Sequence, residues 1–337
     1  MLVLGIETSC DECSVAVVED GRNILSNVIA TQIELHRPFD GVVPELASRK
    51  HTEWIVSVYR QALDEAGIDL EALGGVAATS RPGLSGSLLV GHSFANALAF
   101  SSGKPFIGVD HIRAHLYAAH LEQDIEYPYL GLLVSGGHTI ICAVRSFDEV
   151  EVLGTTIDDA CGEAFDKVAK HFAMGYPGGV AVDRLAEKGD PSAFRFPDPS
   201  LHKGDHRYDV SYSGLKTAVI NQLDQFWDGK SEKSPENIAA AFRKAAIDII
   251  LSRLFKAVED TGCRRIVAGG GVAANAYLRR ALGERSDLEV IFPSLSLCTD
   301  NGAMIAGIGY HYLSEGETSG LEETVSPRVA AFRKTYP

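Results

Sequence analysis

The sequence contains no long hydrophobic run, although 45% of its 337 residues are hydrophobic. A membrane-spanning helix needs about 18 or more consecutive apolar residues, and no segment approaches that length. The first seven residues lack the basic start of a secretory signal and run directly into a pattern typical of a strand. These absences exclude an integral membrane protein. We expect a cytoplasmic protein of about two domains, with no membrane partner.

Positive charge is scarce in this chain. Its 31 Lys and Arg residues stand against 45 Asp and Glu residues, which gives a formal net charge of −14. Sequence-independent binding of nucleic acid depends on clustered Lys and Arg, whereas the chain has small local pairs such as those at 264–265 and 279–280. If a polyanion is the substrate, we therefore expect partner subunits to supply much of the basic surface that binds it.

Cysteines are few and scattered, and several lie in apolar runs, which is typical of reduced, buried thiols rather than of a disulfide framework. Cys10 and Cys13 form a C-x-x-C motif. No second Cys or Cys/His pair accompanies this motif, so a zinc or redox site here is a weak hypothesis.

The sequence does contain two histidines, His111 and His115, four residues apart. On a helix the two positions differ by only about 40° around the axis, so both rings can reach one ion. Surface or capped histidines are the alternative interpretation. The apolar run at 105–109 is typical of a strand, and Asp110 is a suitable N-cap for the helix that follows. The pair therefore lies where functional sites of α/β proteins usually occur.

Asp300 offers a carboxylate at a second junction of this kind, within residues 299–302. Two histidines and one carboxylate suit a divalent transition metal with open coordination positions. Ile112 and Arg113 follow His111, so the general-base glutamate of a zinc peptidase motif is missing.

The order of the expected elements repeats along the chain. Each half has three consecutive strands, a helix, a strand, a helix and a strand, and the second half carries a helical insertion at about 173–234. The duplication predicts a two-lobed α/β protein with a central cleft. We expect an N-terminal lobe at 1–125, a C-terminal lobe at 126–300, and a final helix from about 301 to 337 that packs back on the N-terminal lobe.

The expected boundaries follow from the hydrophobic periodicity and the turn residues. In the first half, strands are expected at 2–8, 14–19, 24–31, 75–80 and 105–109, and helices at 43–66 and 85–101. In the second half, strands are expected at 129–134, 138–145, 149–154, 264–268 and 288–292, and helices at 157–172, 235–261 and 272–284.

Three turns consist of small or hydroxyl-bearing residues, at 8–12, 135–138 and 268–275. We expect the first two to join the first two strands of each half and to point into the cleft, and the third to open a helix. Backbone N–H groups in such turns can approach phosphate oxygens closely. Each turn alone is a weak signal, but the three together predict a nucleotide site.

The helix expected at 157–172 has an apolar face that includes Ile157 and an acidic face that includes Asp159 and Asp166. We interpret Asp159 as a solvated carboxylate. Asp166 precedes a turn at 176–179 that would bring the chain back to the helix end. It is therefore a candidate for binding ribose or substrate hydroxyls, with a solvated carboxylate as the alternative.

With these residues assembled, the chain closely resembles the TsaD family, also called YgjD or Gcp, in its bacterial type. The matching segments occur in the same order and cover nearly the whole chain, so the resemblance is specific. They are residues 4–12, 41–49, 111–115, 133–139, 158–167, 176–179, 213–217 and 298–304.

The resemblance implies the fold shared by actin, sugar kinases and heat-shock chaperones (ASKHA), in agreement with the duplication. It implies transfer of a threonylcarbamoyl group from threonylcarbamoyl-AMP to N6 of the adenosine 3′ of the anticodon, in tRNAs that read A-starting codons. The implied partners are the tRNA anticodon loop and the proteins TsaB and TsaE, with TsaC making the adenylate.

Carried over residue by residue, the resemblance implies that His111, His115 and Asp300 are metal ligands. Iron(II) is the expected ion, with zinc(II) as the alternative. The implied substrate contacts are Leu133, Val134, Ser135, Gly136, Gly137, Asp166, Gly179, Asp183 and Asn275.

Two positions depart from the wider family pattern. Cys13 stands where a small polar residue such as threonine is usual, so a phosphate contact could be missing. Leu133 stands where archaeal and eukaryotic relatives have a metal-binding tyrosine, so water or a substrate oxygen would complete the coordination shell.

Asp11 and Glu12, in the first turn, are the candidates for the base that takes a proton from the N6 amine, and a structural role is the alternative for each. Three other classes of protein are the alternatives. A small-molecule kinase of the same superfamily would leave the histidine pair without a function. The missing glutamate after His111 argues against a metallopeptidase. An actin-like or chaperone-like assembly protein stays open on sequence pattern alone.

Overall fold

The computed structural model describes residues 1–198 and 206–328. The chain divides into two compact units. The first contains Met1–Ile125 and residues 293–328, and the second contains Glu126–Phe292. Among the helices of the described ranges, none combines the length and apolar character that crossing a lipid bilayer requires.

The strands of the described residues form two five-stranded sheets, one in each unit. The first sheet contains β1 (Leu2–Glu7), β2 (Glu12–Glu19), β3 (Asn23–Thr31), β4 (Gly75–Arg81) and β5 (Phe106–Asp110). The second contains β6 (Tyr129–Val134), β7 (Thr139–Val144), β8 (Val150–Thr155), β9 (Arg265–Gly269) and β10 (Glu289–Ile291).

The helices vary from single turns to more than seven turns. They are α1 (Ile33–His36), α2 (Pro44–Ala66), α3 (Ser85–Ser102), α4 (His111–Tyr117), α5 (Cys161–His171), α6 (Gly178–Ala186), α7 (Ser213–Asn221), α8 (Leu223–Phe226), α9 (Pro235–Thr261), α10 (Ala276–Gly283), α11 (Leu295–Cys298) and α12 (Gly302–Ser314).

The two sheets have the same topology, which confirms the predicted duplication. Their strand orders are β3-β2-β1-β4-β5 and, read in the equivalent direction, β8-β7-β6-β9-β10. In each sheet the first three strands are antiparallel, and two further strands add in parallel to the first strand. Parallel neighbours need a crossover connection, and helices supply it.

The first sheet is covered by helices on both faces. Leu4 and Ile6 belong to an apolar cluster with residues of α2 and α3, whereas Val3 belongs to a cluster with α4 and α12. This alternation follows from the two-residue period of a strand. A Cβ atom on Gly5 would lie 2.2 Å from the carbonyl oxygen of Gly302, so only glycine permits α12 to approach β1 this closely. The contact brings the start of α12 to the strand that ends at Glu7.

One predicted helix begins later than expected. The helix expected at 157–172 starts at Cys161. The N–H of Ile157 donates to the carbonyl of Val210, and the carboxylate of Asp158 accepts from the N–H of Tyr212. These contacts with the insertion hold residues 157–159 outside the helix. The side chain of Ile157, which the sequence pattern places on the apolar helix face, is exposed.

Two other helix boundaries also differ from the sequence prediction. The helix expected at 272–284 starts at Ala276, because a separate 3-10 turn occupies Gly271–Ala274. The last helix ends at Ser314, and the chain then turns at Gly316 with a φ of 84°, a left-handed conformation that favours glycine. The part of the expected helix at 329–337 lies outside the described residues.

Candidate metal centre and nucleotide-binding turns

Helix α4 carries both histidines on one buried face. It begins directly after β5, and Oδ1 of Asp110 accepts hydrogen bonds from the N–H groups of Ile112 (2.9 Å) and Arg113 (3.3 Å). This confirms Asp110 as the N-cap. His111 and His115 are 7% and 2% exposed, and their ring centroids lie 4.5 Å apart. The helix period thus places two imidazoles side by side at the end of the sheet.

Asp300 reaches the same place from the turn between α11 and α12. Its Oδ1 lies 3.0 Å from Nε2 of His115 and 3.5 Å from Nε2 of His111. One ligand atom from each of the three residues lies within 4.8 Å of the others. The close packing of α12 on β1 produces this convergence, since nearly 200 residues separate the histidines from the carboxylate.

Glu7, the last residue of β1, supports the cluster, and the sequence analysis did not identify it. Its side chain is 0% exposed, and its Oε2 lies 2.9 Å from Nδ1 of His111. The hydroxyl of Thr79 and the N–H of Ser9 also donate to this carboxylate. A carboxylate bound to the second ring nitrogen is the usual support of a metal-ligating histidine. An acidic residue that ends an otherwise apolar strand was the available signal.

Electrostatics couple these groups. Burial alone raises the pKa of Glu7, but the charge and hydrogen bond of His111 outweigh it and lower that pKa. Burial alone lowers the pKa of His111, but the charges of Glu7 and Asp300 raise it to about 9. Burial and the charge of His111 lower the pKa of His115. The two carboxylates therefore favour a positive charge at His111, whereas burial favours the neutral form of His115.

The donor set fits a divalent transition metal ion. Because Nδ1 of His111 is bound to Glu7, its Nε2 remains for an ion, and Nε2 of His115 faces Asp300 as well. A divalent cation here would balance the negative charge of the two carboxylates. Two imidazoles and one carboxylate leave coordination positions open for a substrate.

Asp11 ends the turn between β1 and β2, and Glu12 is the first residue of β2, in the same unit as the histidine cluster. Oε1 of Glu12 accepts a hydrogen bond from the hydroxyl of Thr31 at 3.2 Å. Burial and the charge of Asp11 raise the pKa of Glu12 well above its usual range. This direction suits a carboxyl group that must take up a proton near neutral pH.

All six cysteines are free thiols, and four of them are buried. None of the six, all of which lie within the described residues, forms a disulfide, as expected. Cys13 is fully buried, and burial raises the pKa of its thiol to about 12. A thiol in this state is a poor metal ligand and a poor nucleophile, which argues against the zinc or redox hypothesis for the C-x-x-C motif.

The predicted phosphate turn at 135–137 lies in the second unit. A Cβ atom on Gly162 would lie 2.7 Å from Cα of Gly136, and Gly270, with a φ of 86°, would place one 2.5 Å from the carbonyl oxygen of Val134. Small residues therefore let this turn lie against α5 and against the turn after β9. Gly136 and Gly137 have open space where a side chain would lie. Leu133 and Val134 are buried strand residues whose side chains belong to the core.

Asp166 lies on α5, and Gly179 lies in the first turn of α6. Gly162 and Asp166 are one turn apart on one face of α5. Oδ1 of Asp166 accepts from the N–H of Gly178 at 2.9 Å, so α6 begins beside this carboxylate. Gly179 has open space at its Cβ position, and Asp183 follows one turn later on α6.

Asp183 and Asn275 are bound to each other. The amide of Asn275 donates to Oδ1 of Asp183 at 3.0 Å, and the N–H of Ala276 donates to Oδ2 at 3.0 Å. The carbonyl oxygen of Asn275's side chain caps α10. Arg243, which the sequence analysis missed, is 5% exposed and donates to Oδ1 of Asp183 at 2.7 Å. Three donors therefore bind this carboxylate, which lies at the start of α10.

The comparisons with known proteins agree with these features. The family model described as TsaD, tRNA N6-adenosine threonylcarbamoyltransferase, matches residues 23–307. A tRNA N6-adenosine threonylcarbamoyltransferase of Treponema denticola is 64% identical over 334 residues, which cover 99% of each chain. The protein of that name from Borreliella burgdorferi is 50% identical over 337 residues, or 100% of this chain and 96% of the relative.

Solved structures share the fold at low sequence identity. Full-length HypF in a phosphate- and nucleotide-bound form is 15% identical, with a TM-score of 0.64 over 94% of this chain and 47% of HypF. The ROK hexokinase of Thermus thermophilus is 17% identical, with a TM-score of 0.51 over 94% of this chain and 100% of the hexokinase. These similarities show the actin-like, sugar-kinase-like fold, and the full-length identity to named relatives shows that the chain belongs to the TsaD family of tRNA N6-adenosine threonylcarbamoyltransferases.

Proposed function

We propose that this chain transfers a threonylcarbamoyl group from threonylcarbamoyl-AMP to N6 of the adenosine 3′ of the anticodon, in tRNAs that read A-starting codons. The observation that carries the proposal is the convergence of His111, His115 and Asp300 in a member of this family. A small-molecule kinase would use a magnesium nucleotide held by oxygen ligands, and the two imidazoles would have no function in it.

His111, His115 and Asp300 are the proposed ligands of one divalent ion per subunit, with iron(II) expected and zinc(II) as the alternative. When bound, the ion supplies a Lewis acid that polarises the carbonyl oxygen of the threonylcarbamoyl group. The carboxylate of Glu7 accepts a hydrogen bond from Nδ1–H of His111, which would leave the lone pair of Nε2 for the ion.

The second unit is proposed to hold the AMP portion of the donor. Backbone N–H groups of residues 135–137 and the start of α10 at Asn275 bind its phosphate, since both present bare backbone or a helix N-terminus. The carboxylate of Asp166 binds ribose hydroxyls beside the open position at Gly179. Holding the leaving group in place stabilises the charge that develops on it during transfer.

The carbamoyl carbon of the donor is already electrophilic because it belongs to a mixed anhydride. The N6 amine forms a bond to this carbon, the bond from the carbon to the phosphate oxygen breaks, and AMP leaves with the electron pair. The N6 proton passes to Asp11 or Glu12. Because the acceptor adenosine lies in a single-stranded loop, it can enter the site without the opening of a duplex.

TsaB and TsaE are the proposed protein partners, and TsaC is the proposed source of the adenylate. The net charge of −14 supports this part of the proposal, because an acidic chain binds tRNA weakly through its own long-range field. Partner subunits would then provide much of the basic surface.

The test combines the purified chain, TsaB, TsaE, TsaC, threonine, bicarbonate, ATP and unmodified tRNA, followed by nucleoside mass spectrometry. We expect N6-threonylcarbamoyladenosine with the wild-type protein. His111→Ala should lose bound metal and transfer while its circular dichroism spectrum is unchanged. His171→Ala, an exposed histidine of the second unit, is the control. Full transfer by metal-free His111→Ala refutes the role of the metal, and ADP release to a small hydroxyl acceptor without modified tRNA refutes the transferase.

A further inference from the structure

Three consecutive backbone carbonyl groups, those of residues 9–11, are each bound by a donor from another part of the first unit. The donors, in order, are the N–H of Leu84 (2.8 Å), Nε2 of His51 (2.9 Å) and the N–H of Gln32 (3.1 Å). Only the carbonyl of Cys10 is held by a side chain. The turn that carries the candidate bases is therefore fixed through its backbone.

His51 is the end of a buried chain of hydrogen bonds. Its Nδ1 lies 3.5 Å from Nε2 of Gln32, whose Oε1 lies 3.3 Å from Nε2 of His36. Nδ1 of His36 in turn lies 3.3 Å from the backbone N of Val43. The exposed fractions of His51, Gln32 and His36 are 0%, 1% and 0%. Buried polar side chains persist when their donors and acceptors are matched. Each hydrogen bond of this series therefore has a defined direction from donor to acceptor.

The two end groups of the hydrogen-bond series, the N–H of Val43 and the carbonyl of Cys10, determine these directions. The N–H of Val43 can only donate, so Nδ1 of His36 accepts and its Nε2 carries the proton. Oε1 of Gln32 then accepts from His36, and its amide donates to Nδ1 of His51. Nε2 of His51 therefore carries the proton and donates to the carbonyl of Cys10, which can only accept. Burial lowers the pKa of His51, which keeps the ring neutral as this assignment requires.

We propose that His51, aligned by Gln32 and His36, is a positioning residue that fixes the backbone at Cys10 and so orients Asp11 and Glu12 for proton transfer. The inference rests on the proposed function, because it concerns the turn that carries the candidate bases. His51 and its supports come from α2 and from the segment after β3, whereas the proposed metal ligands come from α4 and the turn before α12. The chain of hydrogen bonds reaches the first turn at the carbonyl of Cys10, and we therefore assign its effect to the proton-transfer step.

The first test is the tautomeric state of the histidines in the wild-type chain, from ¹⁵N chemical shifts of the imidazole rings. We expect His51 and His36 to be neutral with the proton on Nε2. A proton on Nδ1 of His51, or an imidazolium at neutral pH, overturns the proposal. This measurement needs no variant, and its outcome is independent of whether the protein transfers threonylcarbamoyl groups.

The second test compares His51→Gln with His51→Asn in the reconstituted transfer reaction. The glutamine amide reaches the position of Nε2 and can still donate to the carbonyl of Cys10, whereas the shorter asparagine amide reaches only the position of Nδ1. We expect kcat to fall about 10- to 100-fold in His51→Asn, as misplaced catalytic groups typically cause. His51→Gln should retain most of kcat, and KM for the adenylate and the metal content should stay unchanged in both.

A structural role alone would lower the melting temperature of both variants and leave equal kcat values for their folded fractions, and that result overturns the proposal. Absence of transfer by the wild-type protein refutes the proposed function instead. The tautomer measurement alone then tests whether His51 fixes the backbone at Cys10.

Discussion

Nδ1 of His111 lies 2.9 Å from Oε2 of Glu7, a carboxylate with no exposed surface. The contact joins the first residue of α4 to the last residue of β1, two elements about 100 positions apart in the chain. It determines which ring nitrogen of His111 is available to an ion. The orientation of the proposed metal ligand is therefore set by a residue that is not itself a ligand.

Glu7→Gln should weaken metal binding while it preserves the shape of the side chain. The neutral amide cannot stabilise the imidazole as a carboxylate does, so we expect the affinity for iron(II) or zinc(II) to fall about 10- to 100-fold. Competition with a chromophoric chelator measures the change. Glu45→Gln, which removes an exposed carboxylate paired with Arg49, should have wild-type affinity. Equal affinities in Glu7→Gln and Glu45→Gln would contradict the role of Glu7.

Glu12 should produce an acidic limb in the pH profile of transfer. A general base works only when it is deprotonated, and the pKa of Glu12 is raised, so kcat should increase as the pH rises through that value. Glu12→Gln should remove this limb and lower kcat about 10²- to 10⁴-fold, the usual contribution of a general base. If the limb persists in Glu12→Gln but disappears in Asp11→Asn, the base is Asp11.

Gly137→Val should separate nucleotide binding from folding. The added side chain enters open space, so the melting temperature should stay at the wild-type value. The same atoms would occupy the proposed phosphate position, and we expect AMP affinity to fall about tenfold, or roughly 1.4 kcal/mol.

Gly162→Ala is the matched comparison, because its Cβ atom would lie 2.7 Å from Cα of Gly136 and should lower the melting temperature. Calorimetric titration with AMP and thermal unfolding provide the two measurements. Unchanged AMP affinity in Gly137→Val would remove this turn from the proposed site.

Glu323 should stabilise the first unit in a pH-dependent way. Its Oε1 lies 3.2 Å from Nη1 of Arg81. Burial alone raises the pKa of Glu323, but His92, Ser319 and Arg81 together outweigh it and lower the pKa from 4.5 to about 2. For a carboxyl group with a lowered pKa, the stabilisation is complete above the ordinary value and is lost as the pH falls toward 2.

Glu323→Gln should accordingly reduce the free energy of unfolding at pH 7 by about 1–3 kcal/mol. The difference from wild type should shrink between pH 4.5 and 2, the ordinary and the lowered pKa. Urea unfolding at neutral and acidic pH provides the comparison. A difference that stays constant with pH would mean that Glu323 stabilises the fold by packing alone.

Local patterns predicted much of the fold. The alternation of strands and helices gave the element order and the duplication, because hydrophobic periodicity is a property of neighbouring residues. The pairing of His111 with His115 and the cap at Asp110 also depend only on spacing within one helix turn. The predicted start of α5 was wrong, because contacts with Val210 and Tyr212, more than 50 positions away, hold residues 157–159 in a loop.

The sequence by itself determined the types of element, their order and the candidate ligands, since each follows from residues that are close along the chain. Only the tertiary structure decided that Glu7 supports His111, that Arg243 binds Asp183, and that His51 holds the turn at Cys10. Such contacts join distant segments. They depend on how closely helices pack on sheets, as at Gly5 and Gly302, and periodicity along the chain carries no information about that distance.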